Sequence, residues 1–284
     1  MFQHILVPIS SEFYPRPTLE RALFIADRLG SAITVMYVIE RKTLNQTDKL
    51  SDAYRTKYAR EETTEDITEE HKNAADNIVF SDAKRLRSSD LAYEEKVVEG
   101  EYSTMVQEEL ATGDYDLVLM GFEKQCILNY RILNEADVPV WVETGTDGSQ
   151  QIIAVCTNLA MNTEVPHISA ELADMLGWDL HVLYVVDTED SVQVNQAGER
   201  SQRKPVRELA DIGEEFLADI DRANVTTSLV TGSLPKEMAK AARQFNASLV
   251  VLGEQHKKRL LKNLGKSTRR VIAETCEYSV LFVS

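Results

Sequence analysis

Ile5-Leu6-Val7-Pro8-Ile9-Ser10 returns as Ile152-Ile153-Ala154-Val155-Cys156-Thr157, 147 positions later. Ile33-Thr34-Val35-Met36-Tyr37-Val38-Ile39-Glu40 returns as Leu180-His181-Val182-Leu183-Tyr184-Val185-Val186-Asp187 at the same offset of 147. Further on, Gly100 and Gly121 recur as Gly232 and Gly253, with 21 residues from one glycine to the next in both cases. Asp116-Leu117-Val118-Leu119-Met120-Gly121 mirrors Ser248-Leu249-Val250-Val251-Leu252-Gly253. Each half then closes on a short apolar run, Val138-Pro139-Val140-Trp141-Val142 and Tyr278-Ser279-Val280-Leu281-Phe282-Val283. Matching order and matching spacing identify a duplication, and a repeat of this kind sets the architecture before any single residue is weighed.

Each half reads as strand, helix, strand, helix, strand, helix, strand. The strands are short and almost wholly apolar, as strands buried on both faces of a parallel sheet must be. Leu19, Ala22, Leu23, Ala26 and Leu29 recur at helical spacing before Gly30, and Ile168, Leu172, Met175 and Leu176 do so before Gly177, each glycine a C-cap. This alternation predicts an α/β chain of two tandem doubly wound parallel-sheet domains, 1–143 and 151–284. Residues 144–150 (Thr-Gly-Thr-Asp-Gly-Ser-Gln) form a polar linker, too short for the halves to wander apart. Ligands of such sheets sit at the carboxyl ends of the strands, beside the point where strand order reverses. The informative positions therefore follow Val7, Val38 and Met120 in one half and Val155, Val185 and Leu252 in the other.

The halves differ in two stretches. The first has 15 more residues before its first shared glycine, roughly 41–90, including the acidic run Glu61-Glu62-Thr63-Thr64-Glu65-Asp66-Ile67-Thr68-Glu69-Glu70. That arm reads as a solvated face, with a partner site as its alternative. Its second part, with Ala74, Ala75, Ile78, Val79 and Leu86, predicts an amphipathic helix. After the second glycine the difference reverses: the first half is eight residues shorter where a phosphate loop would lie.

Composition narrows the function. A net charge of −15 repels phosphate backbones and argues against nucleic acid or an anionic membrane surface. No run approaches the ~20 apolar residues of a membrane span, and the start carries no basic leader. Three cysteines without CxxC spacing and five histidines without HxxxH or HExxH spacing exclude a disulfide framework and predict no metal site. All of this predicts a cytoplasmic protein.

The repeat resembles the universal stress protein family over nearly its whole length, and in particular the two-domain members. Family chains begin with a strand like ILVPxD, echoed by Ile5-Leu6-Val7-Pro8. Their second strand resembles Val35-Met36-Tyr37-Val38 and Val182-Leu183-Tyr184-Val185. They end in VxMGxxGx(9)G(S/T), a helix and CPVLVV, which the run from Val250 to Val283 resembles. The resemblance implies a fold akin to the adenine nucleotide alpha hydrolases, with ATP or another adenine nucleotide cradled at the last motif. In the second domain it assigns the ligand-binding positions to Cys156, Thr157, Val185, Leu252, Gly253, His256, Gly265, Lys266, Ser267 and Thr268. Glycines allow a backbone to approach an oxyanion, and the N–H groups of a following helix start point at it. The departures are specific. His256 stands at the second glycine, the spacer is one residue short, and Lys266 replaces the hydroxyl residue. The acidic residue after the first strand is Ser10 in one domain and Thr157 in the other. Domain one keeps Gly121 alone, so no nucleotide is expected there. Lys257, Lys258, Arg259 and Lys262 make this the most basic stretch of an acidic chain.

Gly265-Lys266-Ser267-Thr268 also looks like the end of a Walker A loop, but Leu260 occupies the position of its first glycine. No nucleophile with an identifiable base is present, and no carboxylate pair has a geometry set by spacing. Cys126 and Cys156 read as buried hydrophobes, and Tyr37, Tyr184, Trp141 and Trp178 as core. The expected function is a tandem universal-stress-like module, non-catalytic or at most a weak ATPase, that responds to a nucleotide or anion in domain two. Its expected partners are itself, as an internal pseudo-dimer and a homodimer, and a regulatory protein. Two rivals stay open: an interaction protein with no ligand, and a hydrolase or transferase acting on adenylates.

Overall fold

The computed structural model describes residues 1–40, 68–122, 130–145, 148–220, 225–254, 268–275 and 277–283. The chain forms two compact units, residues 2–136 and residues 137–284.

In the first unit, β1 (His4–Ser10), β2 (Ala32–Glu40), β3 (Tyr93–Gly100) and β4 (Leu117–Gly121) lie in the order β3-β2-β1-β4, all parallel. In the second, β5 (Val140–Glu143), β6 (Gln151–Thr157), β7 (Asp179–Asp187), β8 (Val225–Gly232), β9 (Leu249–Leu252) and β10 (Ser279–Phe282) lie in the order β5-β10-β9-β6-β7-β8. Every described ladder there is parallel except β5 with β10. These are the two doubly wound α/β sheets that the repeat predicts. The internal registers repeat as well: His4 faces Ala32 and Gln151 faces Asp179, as a duplication demands.

Strand order reverses at β1 and at β6. Right-handed crossovers therefore carry successive helices first to one face of the sheet and then to the other. Helices Arg16–Leu29 and Ser81–Leu86 accordingly touch each other, as do Tyr102–Thr112 and Tyr130–Glu135. Both predicted helix stops hold: Gly30 and Gly177 adopt left-handed backbone at φ 67°, where a side chain would be strained.

Two apolar stripes differ from expectation. On helix Glu164–Leu176 the buried face runs Val165, Ser169, Leu172, Ala173 and Leu176, which turns Met175 outward. On the stretch before β3, a π-turn at Ala75–Phe80 inserts a residue into the helical repeat ahead of Ser81–Leu86. The extra residue rotates the phase: Ala75, Val79 and Phe80 are buried, whereas Ile78 is 52 % exposed. Of the expected acidic run, residues 61–67 lie outside the described residues; 68–70 are helical.

β5, which the repeat assigns to the first half, folds with the second unit, antiparallel to β10 through Val140↔Phe282, Trp141↔Leu281 and Val142↔Val280. Trp141 is fully buried, and its Nε1–H donates to Glu143 Oε2 at 3.0 Å. The segment after β5 is anchored. Thr144 N–H donates to Ser279 Oγ, Ser149 N–H to the Asn246 carbonyl and Gln150 N–H to Ser248 Oγ.

Candidate functional site

Helix Glu164–Leu176 leaves β6 toward β7, and helix Leu234–Gln244 leads from β8 to β9, so strand order reverses between β6 and β9, the place where such sheets take ligands at their carboxyl ends. Cys156 and Thr157 end β6, Leu252 and Gly253 end β9, and Val185 lies near the end of β7, so these expected site residues do gather at one rim. Cys156, Thr157, Val185 and Leu252 are all buried in the core. Burial pushes the Cys156 thiol well above its ordinary range, which keeps it neutral and unreactive. His256, Gly265, Lys266 and Ser267 lie outside the described residues. Thr268 opens helix Thr268–Thr275, so Gly265-Lys266-Ser267 directly precedes a helix start.

Gly253 has a packing role of its own. A Cβ there would lie 2.9 Å from Val165 Cγ2, so only glycine admits the first turn of helix Glu164–Leu176 this close. Gly121 serves its own unit in the same way: a Cβ would meet Pro15 Cγ at 2.1 Å and Thr18 Oγ1 at 2.5 Å. The glycine shared by both repeats is required where the first helix crosses the end of the fourth strand.

Beside Gly253 the chain builds a closed polar cluster. Asn162, in left-handed backbone, accepts the Thr157 N–H at 2.9 Å and returns its own amide to the Thr157 carbonyl at 2.8 Å. The fully buried Asn158 donates to the carbonyls of Val192 and Asp190 and accepts the Asp187 N–H at 2.6 Å. Asp187, also fully buried, accepts N–H groups of Glu189, Asp190 and Leu234. Buried polar atoms must be paired, and here these residues pair with one another and with the backbone of residues 189–192 and Leu234. Val192 and Val194 of the loop after β7 are buried, and Val194 N–H donates to the Asn158 carbonyl. Arg200 pins that loop through Asp190 at 2.8 Å.

Sequence reasoning singled out Thr157 as a lost acidic residue and missed Asn158, Asn162 and Asp187. One signal was present. Asp187 and Glu40 are carboxylates at matching repeat positions, each ending an apolar strand, and both are buried.

Two cations among the described residues near the rim are engaged. Arg269 is half-buried, which lowers its pKa; it donates to the Val283 carbonyl at 3.3 Å and lies over the Phe282 ring. Arg270 pairs with Glu274 at 3.1 Å. A groove of about 280 Å³ lies elsewhere, over the amino-terminal ends of β7 and β8, with Pro166, Ala170, Leu180, Val182, Ile220 and Val225 among its walls. Among the described residues no three His, Cys, Asp or Glu side chains converge as metal ligands, and no helix is long and apolar enough to cross a membrane.

These units define a tandem pair of doubly wound α/β domains. The sequence model of the Universal stress protein family matches residues 1–142 and again 151–284. The chain therefore belongs to the universal stress protein family, as a tandem member. A universal stress protein of Archaeoglobus fulgidus DSM 4304 superposes with a TM-score of 0.65 at 13 % identity, covering 99 % of this chain and 96 % of that one. A protein of Pseudomonas aeruginosa UCBPP-PA14 assigned to the same family gives 0.66 at 17 % identity, covering 99 % and 93 %. At such identities the likeness is one of fold. No curated protein sequence matches the chain.

Proposed function

We propose that this tandem universal stress protein is a non-catalytic regulatory module of the cytoplasm. Its second repeat receives the phosphate end of an adenine nucleotide, or another anion, and responds by changing its shape or its partners. The observation that carries this reading is the rim itself. Gly253 follows β9 at the carboxyl end of the sheet, and Gly265-Lys266-Ser267 leads straight into helix Thr268–Thr275, where backbone N–H groups favour an anion. On this reading the module is at most a weak ATPase. Its partners on this reading are itself, as a pseudo-dimer of the two repeats and as a homodimer, and a regulatory protein.

A second reading has an observation of its own. Thr157, Asn158, Asn162 and Asp187 spend their polar atoms on one another and on nearby backbone where a nucleoside would need free polar groups, which favours an interaction module with no ligand. Calorimetric titration of the intact chain with ATP, and separately with pyrophosphate, distinguishes the two. Saturable binding of either, lost in a folded Gly265→Val variant, supports the anion site. Heat-silent titrations at millimolar concentration leave the interaction module.

A further inference from the structure

β8 pairs with β7 on one side, and among the described residues no strand pairs with its other side. Such an edge offers a row of backbone N–H and C=O groups, and proteins ordinarily guard it with charge, proline, a bulge or short length. The outer strand of the first unit is guarded. β3 reads Tyr-Glu-Glu-Lys-Val-Val-Glu-Gly, with Glu95 paired to Lys84 and Glu99 to Lys72. β8 carries none of these devices: Val225-Thr226-Thr227-Ser228-Leu229-Val230-Thr231-Gly232 spans eight residues with no charge and no proline. Thr226, Thr227 and Thr231 are exposed.

The strand is also held rigid. His181 of β7 places Nδ1 2.8 Å from Thr226 Oγ1 and Nε2 2.8 Å from Ser228 Oγ, and it stacks on Phe245. That fixes Thr226 and Ser228 on one face of the sheet. Thr227, Leu229 and Thr231 share the other, where Leu229 packs at Gly213 of helix Val206–Ala218. That helix exposes Asp211, Glu214 and Glu215, and Asp219 follows at its end, while its exposed Glu208 is paired with Lys204 ahead of the helix. Its one exposed cation is Arg207.

We propose that the β8 edge takes up, by strand addition, an extended segment of a partner protein whose side chains on the helix Val206–Ala218 face are basic. Backbone hydrogen bonds would supply the affinity, and the acidic helix the choice of partner. A second copy of the chain fits less well. Antiparallel self-pairing of β8 turns about an axis normal to the sheet and sets the acidic helix of one copy beside the same helix of the other. This inference stands apart from the anion reading, since no residue of the rim around Gly253 takes part.

The test uses the full chain and a synthetic peptide of about ten residues alternating lysine with valine, long enough to cover the strand. Amide hydrogen exchange is expected to slow at 225–232 on adding the peptide, and fluorescence anisotropy to give a saturable affinity that falls as salt is raised. A peptide with glutamate in place of lysine is expected to bind about tenfold or more weakly, and so is the lysine peptide to Thr227→Lys. Thr226→Pro and Thr227→Pro complete the set. Adjacent N–H groups point to opposite edges, so one variant removes an outward donor and leaves the β7 ladder whole. Unchanged exchange at 225–232, or equal binding to wild type and Thr227→Lys, overturns the proposal. A homodimer in sedimentation that either proline variant dissolves while still folded would assign the edge to a second copy and overturn it too.

Discussion

Asp187 Oδ2 accepts the backbone N–H of Leu234 at 3.0 Å, so a carboxylate ending β7 caps a helix 47 residues further along the chain. Ser233, at the usual capping position of that helix, makes no side-chain cap bond. In the other repeat the duty is local. Glu101 caps its own helix, accepting the N–H groups of Ser103 and Thr104.

Replacing Asp187 by alanine removes the acceptor of three N–H groups, the buried one of Leu234 and the half-buried ones of Glu189 and Asp190. The expected loss is about 3 kcal/mol, read as a lower urea midpoint. Asp187→Asn should lose less, because one oxygen still accepts. Equal stability of Asp187→Ala and wild type would show that the carboxylate caps nothing of consequence.

Gly213 sets two effects against each other. Glycine inside a helix costs about 1 kcal/mol relative to alanine, so propensity alone makes Gly213→Ala stabilising. A Cβ there would lie 2.6 Å from Tyr184 Cδ1 and 2.7 Å from Leu229 Cδ1, and Tyr184 is locked in the core. Overpacking of that kind costs about 1–3 kcal/mol, so a net loss is expected in thermal unfolding. Adding Tyr184→Leu to Gly213→Ala should reverse its sign; a simple sum of the two single effects would refute the packing account.

His181 is buried, and burial lowers its pKa below the ordinary 6.5. Between its folded and unfolded pKa values the unfolded chain binds more protons, so stability rises with pH through that window. The contribution is complete above about 6.5 and is lost as pH falls toward the folded value. Denaturation at pH 7.5 and 5.5 should show a difference that shrinks in His181→Gln. A parallel pH profile for the two proteins would rule it out.

Glu101 has the opposite ionisation. Burial works to raise its pKa, but the hydroxyls and backbone N–H groups of Ser103 and Thr104 outweigh it and bring the carboxyl down to about 2 from 4.5. Its stabilisation is present above about 4.5 and disappears as pH falls through the folded value. Glu101→Gln should therefore unfold in acid with a shallower dependence between pH 4.5 and 2. An identical acid-unfolding curve would deny Glu101 its capping role.

Much of the fold was legible because the repeat tests each assignment twice. Gly30 and Gly177 end corresponding helices, and the β1 and β6 registers match. Polar clusters were less legible, because the partners of Asn158 lie beyond β7 and nothing in its neighbours announces them. The π-turn at Ala75–Phe80 hid for a related reason, since periodicity assumes a constant phase. The rim was half legible: backbone positions gathered as the family motif implies, but side chains such as Thr157 and Leu252 turned into the core. β5 joined the second unit because its hydrogen-bonding partner is the last strand of the chain, a pairing that a repeat alignment cannot express.

That last pairing sets an order of events during synthesis. Val140-Trp141-Val142-Glu143 leaves the ribosome about 140 residues before Ser279-Val280-Leu281-Phe282, and its side toward β10 stays open throughout that interval. At roughly 5–20 residues per second the delay lasts on the order of ten seconds. A nascent chain halted after the first repeat would leave an apolar strand edge around Trp141 without its partner until β10 is made.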